Sequence, residues 1–273
     1  MSHRAFKRRI KKTRNDKIMI KHTAILLLFL ISFTTVSAKI TTSEQLVSAM
    51  HKKYVGKWYK TLVFAQKTTT FKPDGTTEKG IWYEALSMPG KLRVDFDPLE
   101  SGGGVIYAKG VNNTFKDGKL VNSRPVDHAL LVLGFDVYFQ PVETTLAQLK
   151  KMKMDLSVLR EDTWQGREVY VVGAKQGDLR SPQFWIDKKN LYFVRLIQPV
   201  GKDGASIQEI EFNKYQKVKG GGWISPEVVF IVNGKRVFLE EYYGIRTNVS
   251  LDENLFDPQQ WMTVDRQYFQ KNQ

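Results

Sequence analysis

From Lys57 to Tyr243 the chain runs in short stretches rich in Val, Ile, Tyr, Phe and Trp, cut at close intervals by turn signals. Pro73-Asp74-Gly75 separates Lys57–Phe71 from Glu78–Leu86, and Pro89-Gly90 precedes Lys91–Phe96. Asp117-Gly118 parts Val105–Phe115 from Lys119–Ser123, and Gln165-Gly166 parts Leu156–Asp162 from Arg167–Ala174. Asp187–Asn190 divides Gln183–Ile186 from Leu191–Gln198, and Lys202-Asp203-Gly204 leads into Ser206–Tyr215. Asn233-Gly234 closes the series between Trp223–Val232 and Lys235–Tyr243. β-Branched and aromatic runs bounded by Asp-Gly or Asn-Gly predict antiparallel hairpins, about ten or eleven strands in all.

Three stretches carry a helical pattern instead. Thr42 or Ser43 is placed to cap a helix running to Lys53, with Leu46, Val47 and Met50 on its apolar side. Pro125–Phe135 begins with Pro and is densely apolar. The segment from Thr144 or Thr145 to Met154 sets Leu146, Leu149 and Met152 on one face. Hairpins in succession with a helical insert predict a mainly β fold: an incomplete antiparallel β-barrel, a curled sheet whose concave face is covered by a few helices.

The faces of that sheet can be read by alternation. Leu92, Val94 and Phe96 point one way and Lys91, Arg93 and Asp95 the other, which predicts one inner and one water-facing side. Phe184-Trp185-Ile186 and Val228–Val232 are apolar on both faces. So much inner apolar surface must either pack as a core or line a cavity, as in wide barrels that side chains cannot fill. The expected cavity lining is Trp82, Leu92, Val94, Phe96, Leu130, Leu133, Phe184 and Phe230, with Leu130, Val132 and Leu133 turned toward the sheet.

The first 38 residues differ from the rest. Basic residues crowd Arg4 to Lys21, an apolar run spans Ala24–Phe33, and Val36-Ser37-Ala38 is a small-x-small exit. These are the parts of a secretory signal peptide, too short in its apolar core to span a bilayer, with cleavage expected after Ala38. Met19 offers a second translation start. Nine Lys or Arg and one Asp in this leader account for +8 of the formal +14, which leaves +6 for residues 39–273. A mildly basic remainder without long basic runs argues against nucleic-acid binding. Its 235 residues suit one domain.

Candidate chemistry is sparse. The chain has no cysteine, so it holds no disulfide, no thiol nucleophile and no lipobox cysteine for an N-terminal lipid anchor. Only His51 and His128 follow the leader, too few for a histidine-rich metal site. Gly102-Gly103-Gly104 and Gly220-Gly221-Gly222 lack the Lys-Ser/Thr ending of a phosphate loop and read as loop glycines. Asp95 and Asp97 share a strand face, where a carboxylate pair would serve acid–base work but a solvated face beside Lys91 and Arg93 is the plainer reading. No cofactor, metal or enzymatic activity is expected.

Three runs together resemble the LolA-like periplasmic lipoprotein carriers. Gly80 to Phe96, with its aromatic strand, Pro89-Gly90 and alternating strand, is similar to that family's strand–Pro–strand hairpin. Phe184-Trp185-Ile186-Asp187 followed by Leu191–Leu196 resembles a second hairpin, and Asn248–Pro258 its closing segment. The resemblance implies a soluble, monomeric, non-catalytic periplasmic carrier. Its apolar cavity would hold lipoprotein acyl chains or other lipids for transfer toward the outer membrane. It would act as a chaperone in outer-membrane biogenesis, taking cargo from an inner-membrane export complex and passing it to an outer-membrane acceptor. Where the best-studied carriers have Arg before the hairpin Pro and an aromatic three residues after it, this chain has Met88 and Leu92, so an arginine latch is not carried over. The alternative is an envelope scaffold or stress-sensing domain of the same fold that binds a protein partner.

Overall fold

The computed structural model describes residues 39–269. The leader lies outside the described residues. The first six strands are β1 (Thr61–Phe71), β2 (Thr77–Ser87), β3 (Lys91–Phe96), β4 (Gly104–Ala108), β5 (Val111–Lys116) and β6 (Lys119–Pro125). After the helical insert come β7 (Leu159–Trp164), β8 (Arg167–Val172), β9 (Gln183–Asp187), β10 (Phe193–Val200) and β11 (Ser206–Asn213). A two-stranded ribbon, β12 (Gln216–Lys217) with β13 (Trp223–Ile224), precedes β14 (Glu227–Val232) and β15 (Lys235–Thr247). Thirteen of the strands form one antiparallel sheet in the order β6-β5-β4-β3-β2-β1-β15-β14-β11-β10-β9-β8-β7. The edges β6 and β7 do not pair, so the barrel is incomplete. The long strand β15 pairs with β1 and joins the two hairpin series.

Fifteen strands form among the described residues against the expected ten or eleven, in part because two long apolar runs are each divided and Gln216–Lys217 adds a short strand. Val105–Phe115 breaks at Lys109-Gly110, where both residues have positive φ (53° and 74°). That is the geometry of a tight hairpin turn, adopted here by a lysine rather than by the Asn or Asp that usually marks it. Asp117-Gly118 turns the same way, with φ of 51° and 72°. Trp223–Val232 breaks at Ser225-Pro226, since Pro cannot donate to a ladder.

Three helices cover the concave side. α1 (Ser43–Tyr54) starts in a capping box: Gln45 N donates to Thr42 Oγ1 (3.2 Å) and Thr42 N to Gln45 Oε1 (3.3 Å). α2 (Ala129–Gly134) is shorter than the predicted Pro125–Phe135, because Pro125 belongs to β6 and His128 caps the helix through Nδ1, which accepts from Leu131 N. α3 (Val142–Lys151) ends before the predicted Met154, where Lys153 takes a left-handed φ of 63°. Leu46, Val47 and Met50 of α1, Leu133 of α2 and Leu149 of α3 join Phe184, Ile186, Phe193 and Leu196 in one buried cluster.

The outer face of β3 corrects the expected wet side. Arg93 and Asp95 are both fully buried. Arg93 holds Asp95 through two hydrogen bonds (Nε to Oδ2 2.7 Å, Nη2 to Oδ1 2.9 Å) and donates to the carbonyls of Leu255 and Trp261. Tyr268 Oη donates to Asp95 Oδ2 (2.8 Å), and the Trp261 ring lies 4.1 Å from the guanidinium. The chain after β15 returns over this face and excludes water from it. Val63, Ala85, Leu255, Phe256 and Tyr268 form the resulting apolar cluster. Asp97 stays exposed, so no Asp95–Asp97 pair forms. Gly104 belongs to the same contact: its φ is 154°, and a Cβ there would meet Val94 O at 2.1 Å and the Trp261 ring at 2.6 Å. Gly104, read from sequence as a loop glycine, is the first residue of β4 and serves close packing there.

Candidate functional site

The helices fill only part of the concave face. Between α2 and the inner side of the first strands lies a hollow of about 350 Å³, near the low end of small-molecule sites, about 300–1,000 Å³. Period-two alternation sets its wall. Trp82, Glu84 and Leu86 come from β2, and Leu92, Val94 and Phe96 from β3. Phe64 of β1, Phe212 of β11, Phe230 of β14 and Glu240 and Tyr242 of β15 complete the far side. Leu130, Leu131 and Phe135 roof it, with Asn112 and His128 among its polar groups. The aromatic rings pack on each other: Phe64 stacks on Tyr242 (centroids 4.1 Å apart), and Trp82 lies 4.7 Å from Phe96. Clefts near Gln216–Gly220 and near Lys109 and Glu253 are larger, but they mix polar and apolar chains and lack the hollow's cluster of aromatic rings.

Six of the expected lining residues, Trp82, Leu92, Val94, Phe96, Leu130 and Phe230, border this hollow. Leu133 and Phe184 do not; both are fully buried in the packed cluster. Phe184 lies on β9, opposite Val172 and Leu196, in the part of the sheet that the helices fill. Val132 and Leu133 are buried and Leu130 is half-buried.

The polar groups in the hollow escaped the sequence reading. Glu84 makes no hydrogen bond or ion pair among the described residues, and burial together with the Glu240 charge holds its pKa well above the usual carboxylate range. Burial pushes Glu240 up to about 7, although Tyr242 Oη donates to its Oε2 (2.8 Å). Gln66, on the inner side of β1, is fully buried. Its amide lies beside Glu240, yet neither its Oε1 nor its Nε2 closes a hydrogen bond. Burial drives His128 down to about 4, so its ring is neutral. The signal was present in the sequence: Glu84 is two residues from Trp82, and Glu240 two from Tyr242, so each must share that neighbour's face. No group of three His, Asp or Glu side chains suited to a metal occurs among the described residues.

The sequence matches no protein-family model and no curated protein. Solved structures do match. A domain from Vibrio parahaemolyticus, described as an outer membrane lipoprotein-sorting protein, superposes with a TM-score of 0.57 at 11% identity, over 81% of this chain and 97% of that one. A LolA superfamily protein from Nitrosomonas europaea gives 0.50 at 10% identity, over 80% and 98%. This chain has the LolA-like fold. A DUF1329 family protein from Desulfovibrio piger shares it too, with a TM-score of 0.55 at 13% identity over 79% and 95%. In this LolA-like chain, the hairpin with Pro89 supplies two walls of the hollow and the segment through Pro258 closes the outer face. Of the three resembling runs, only the Pro89 hairpin lines the hollow; the run from Phe184 to Leu196 lies in the packed part of the sheet.

Proposed function

We propose that this LolA-like domain is a non-catalytic periplasmic carrier or binder of lipoprotein acyl chains or other lipids. The observation that supports the reading best is the hollow: a concave wall of Phe, Trp, Leu and Val side chains under a short helix. Each CH₂ moved from water to such a wall contributes about 0.8 kcal/mol, so a chain can be held without specific chemistry. The leader would deliver the protein to the periplasm, where cargo passes from an inner-membrane export complex to an outer-membrane acceptor. A second reading, a scaffold for a protein partner, is favoured by the edge strand β6, whose Leu120 and Val121 are 52% and 59% exposed beside unpaired backbone groups.

The full chain expressed with its leader tests both. Mass spectrometry of the extracytoplasmic protein should find an N-terminus at Lys39 and co-purifying lipid. After delipidation, a fluorescent acyl probe should bind saturably at one site. Protein that carries no lipid and shows no saturable probe binding would end the carrier reading and leave the scaffold.

A further inference from the structure

A hollow built only to hold hydrocarbon has no use for carboxyl groups, since a buried charge or an unpaired polar group there is costly. This wall holds two, and their placement is specific. Strand β1 lies between β2 and β15. Along it, Phe64 stands opposite Glu84 on one neighbour and Thr68 opposite Glu240 on the other. Gln66, between them on the same face, is fully buried with both polar atoms unpartnered. The carboxyls therefore sit diagonally across β1 with an unsatisfied amide at the crossing.

With its carboxyls ionised, the cluster has more acceptors than donors. Two carboxyl groups and Gln66 Oε1 face Tyr242 Oη and Gln66 Nε2, and Tyr242 is already used by Glu240. No lysine or arginine is among the residues that line the hollow. The other titratable groups that face it are His128, on the segment entering α2, and Tyr242 itself. Behind β3, Asp95 is spent on Arg93 and Tyr268. A primary ammonium carries three donors and no acceptor, so it would complete this set. A third carboxylate would meet like charge instead.

We propose that the hollow selects amphiphiles whose polar end is a protonated amine, seated against Glu84 and Glu240, with Gln66 behind them and the hydrocarbon along the aromatic wall. The proposal rests on the acyl-binding reading and adds the head group that the hollow prefers. Tested at pH 8 against a neutral fluorescent acyl probe, dodecylamine should displace the probe about tenfold or more better than dodecanol and dodecanoate, as a charge-assisted contact in a dry site would give. Attraction to the mildly basic surface would favour the anion, so it cannot imitate this order.

In the E84Q/E240Q double variant the ratio of dodecylamine to dodecanol affinity should fall to about threefold or less, a loss of roughly half a log unit or more. The single variants E84Q and E240Q, each nearly isosteric, carry the comparison if the double variant does not fold, and each should lose part of the advantage. Equal displacement by all three amphiphiles, or an amine advantage that survives in the variants, would overturn the head-group proposal and leave the acyl hollow intact. Failure of every amphiphile and of the probe itself to bind would sink the acyl reading, and this one with it.

Discussion

Glu84 and Glu240 are half-buried in the wall of the hollow with another acid near, and both conditions favour the protonated form. Their pKa values are therefore higher in the folded chain than in the unfolded one, where a glutamate titrates near 4.3. The folded state keeps protons that the unfolded state releases, so stability from this pair is fully present below about pH 4 and is lost as pH rises through about 7. Urea unfolding at pH 5 and pH 8 should show a loss on the order of 2 kcal/mol in the wild type, and clearly less in E84Q/E240Q. The same stability change in both proteins would place the titrating groups elsewhere. An inner-face Glu was readable from alternation in β2 and β15. Its neighbour across β1 was not, because two residues more than 150 positions apart meet only through strand register.

At the scale of elements, the decisive contact is between β3 and the segment after β15. Alternation in Lys91–Phe96 separates an apolar from a polar side, and it does so correctly: Leu92, Val94 and Phe96 face the hollow. It cannot say whether the polar side is wet. Here a returning segment buries it, which is tolerable only because Arg93 and Asp95 satisfy each other and two backbone carbonyls. Arg93→Met should leave the Asp95 carboxylate with only Tyr268 and the more distant Arg266 (3.8 Å) and cost about 3 kcal/mol of unfolding free energy, while replacing both Arg93 and Asp95 with apolar residues should restore much of it. Chemical denaturation of the single and double variants reads this directly. A loss under about 1 kcal/mol for Arg93→Met would mean that the pair behaves like a surface ion pair.

Across the whole molecule, one sheet carries a filled and an unfilled concave region. Phe184 and Phe96 are the same residue type on comparable inner faces, yet one is enclosed by the helices and the other borders open space. Phe184→Ala should cost about 3–5 kcal/mol, because it leaves a hole that the core cannot close. Phe96→Ala enlarges a hollow that already exists, so its stability cost should be smaller, about 1–2 kcal/mol, with a measurable change in acyl-probe affinity or preferred chain length. Equal stability losses with probe binding unchanged would identify the Phe96 region as ordinary core.

The sequence alone determined what depends on near neighbours. Alternation and Asp-Gly or Asn-Gly turns specified a mainly β chain of antiparallel hairpins, Thr42 or Ser43 marked the start of α1, and six of the eight residues expected on the wall border the hollow. Tertiary structure decided what depends on distant segments meeting: that β15 pairs with β1, that the chain after Thr247 covers Arg93 and Asp95, and that Leu133 and Phe184 are fully buried while Phe96 and Phe230 border the hollow. Burial is a property of what lies opposite a side chain. Period two tells which way a residue points, and only the folded chain determines what it meets there.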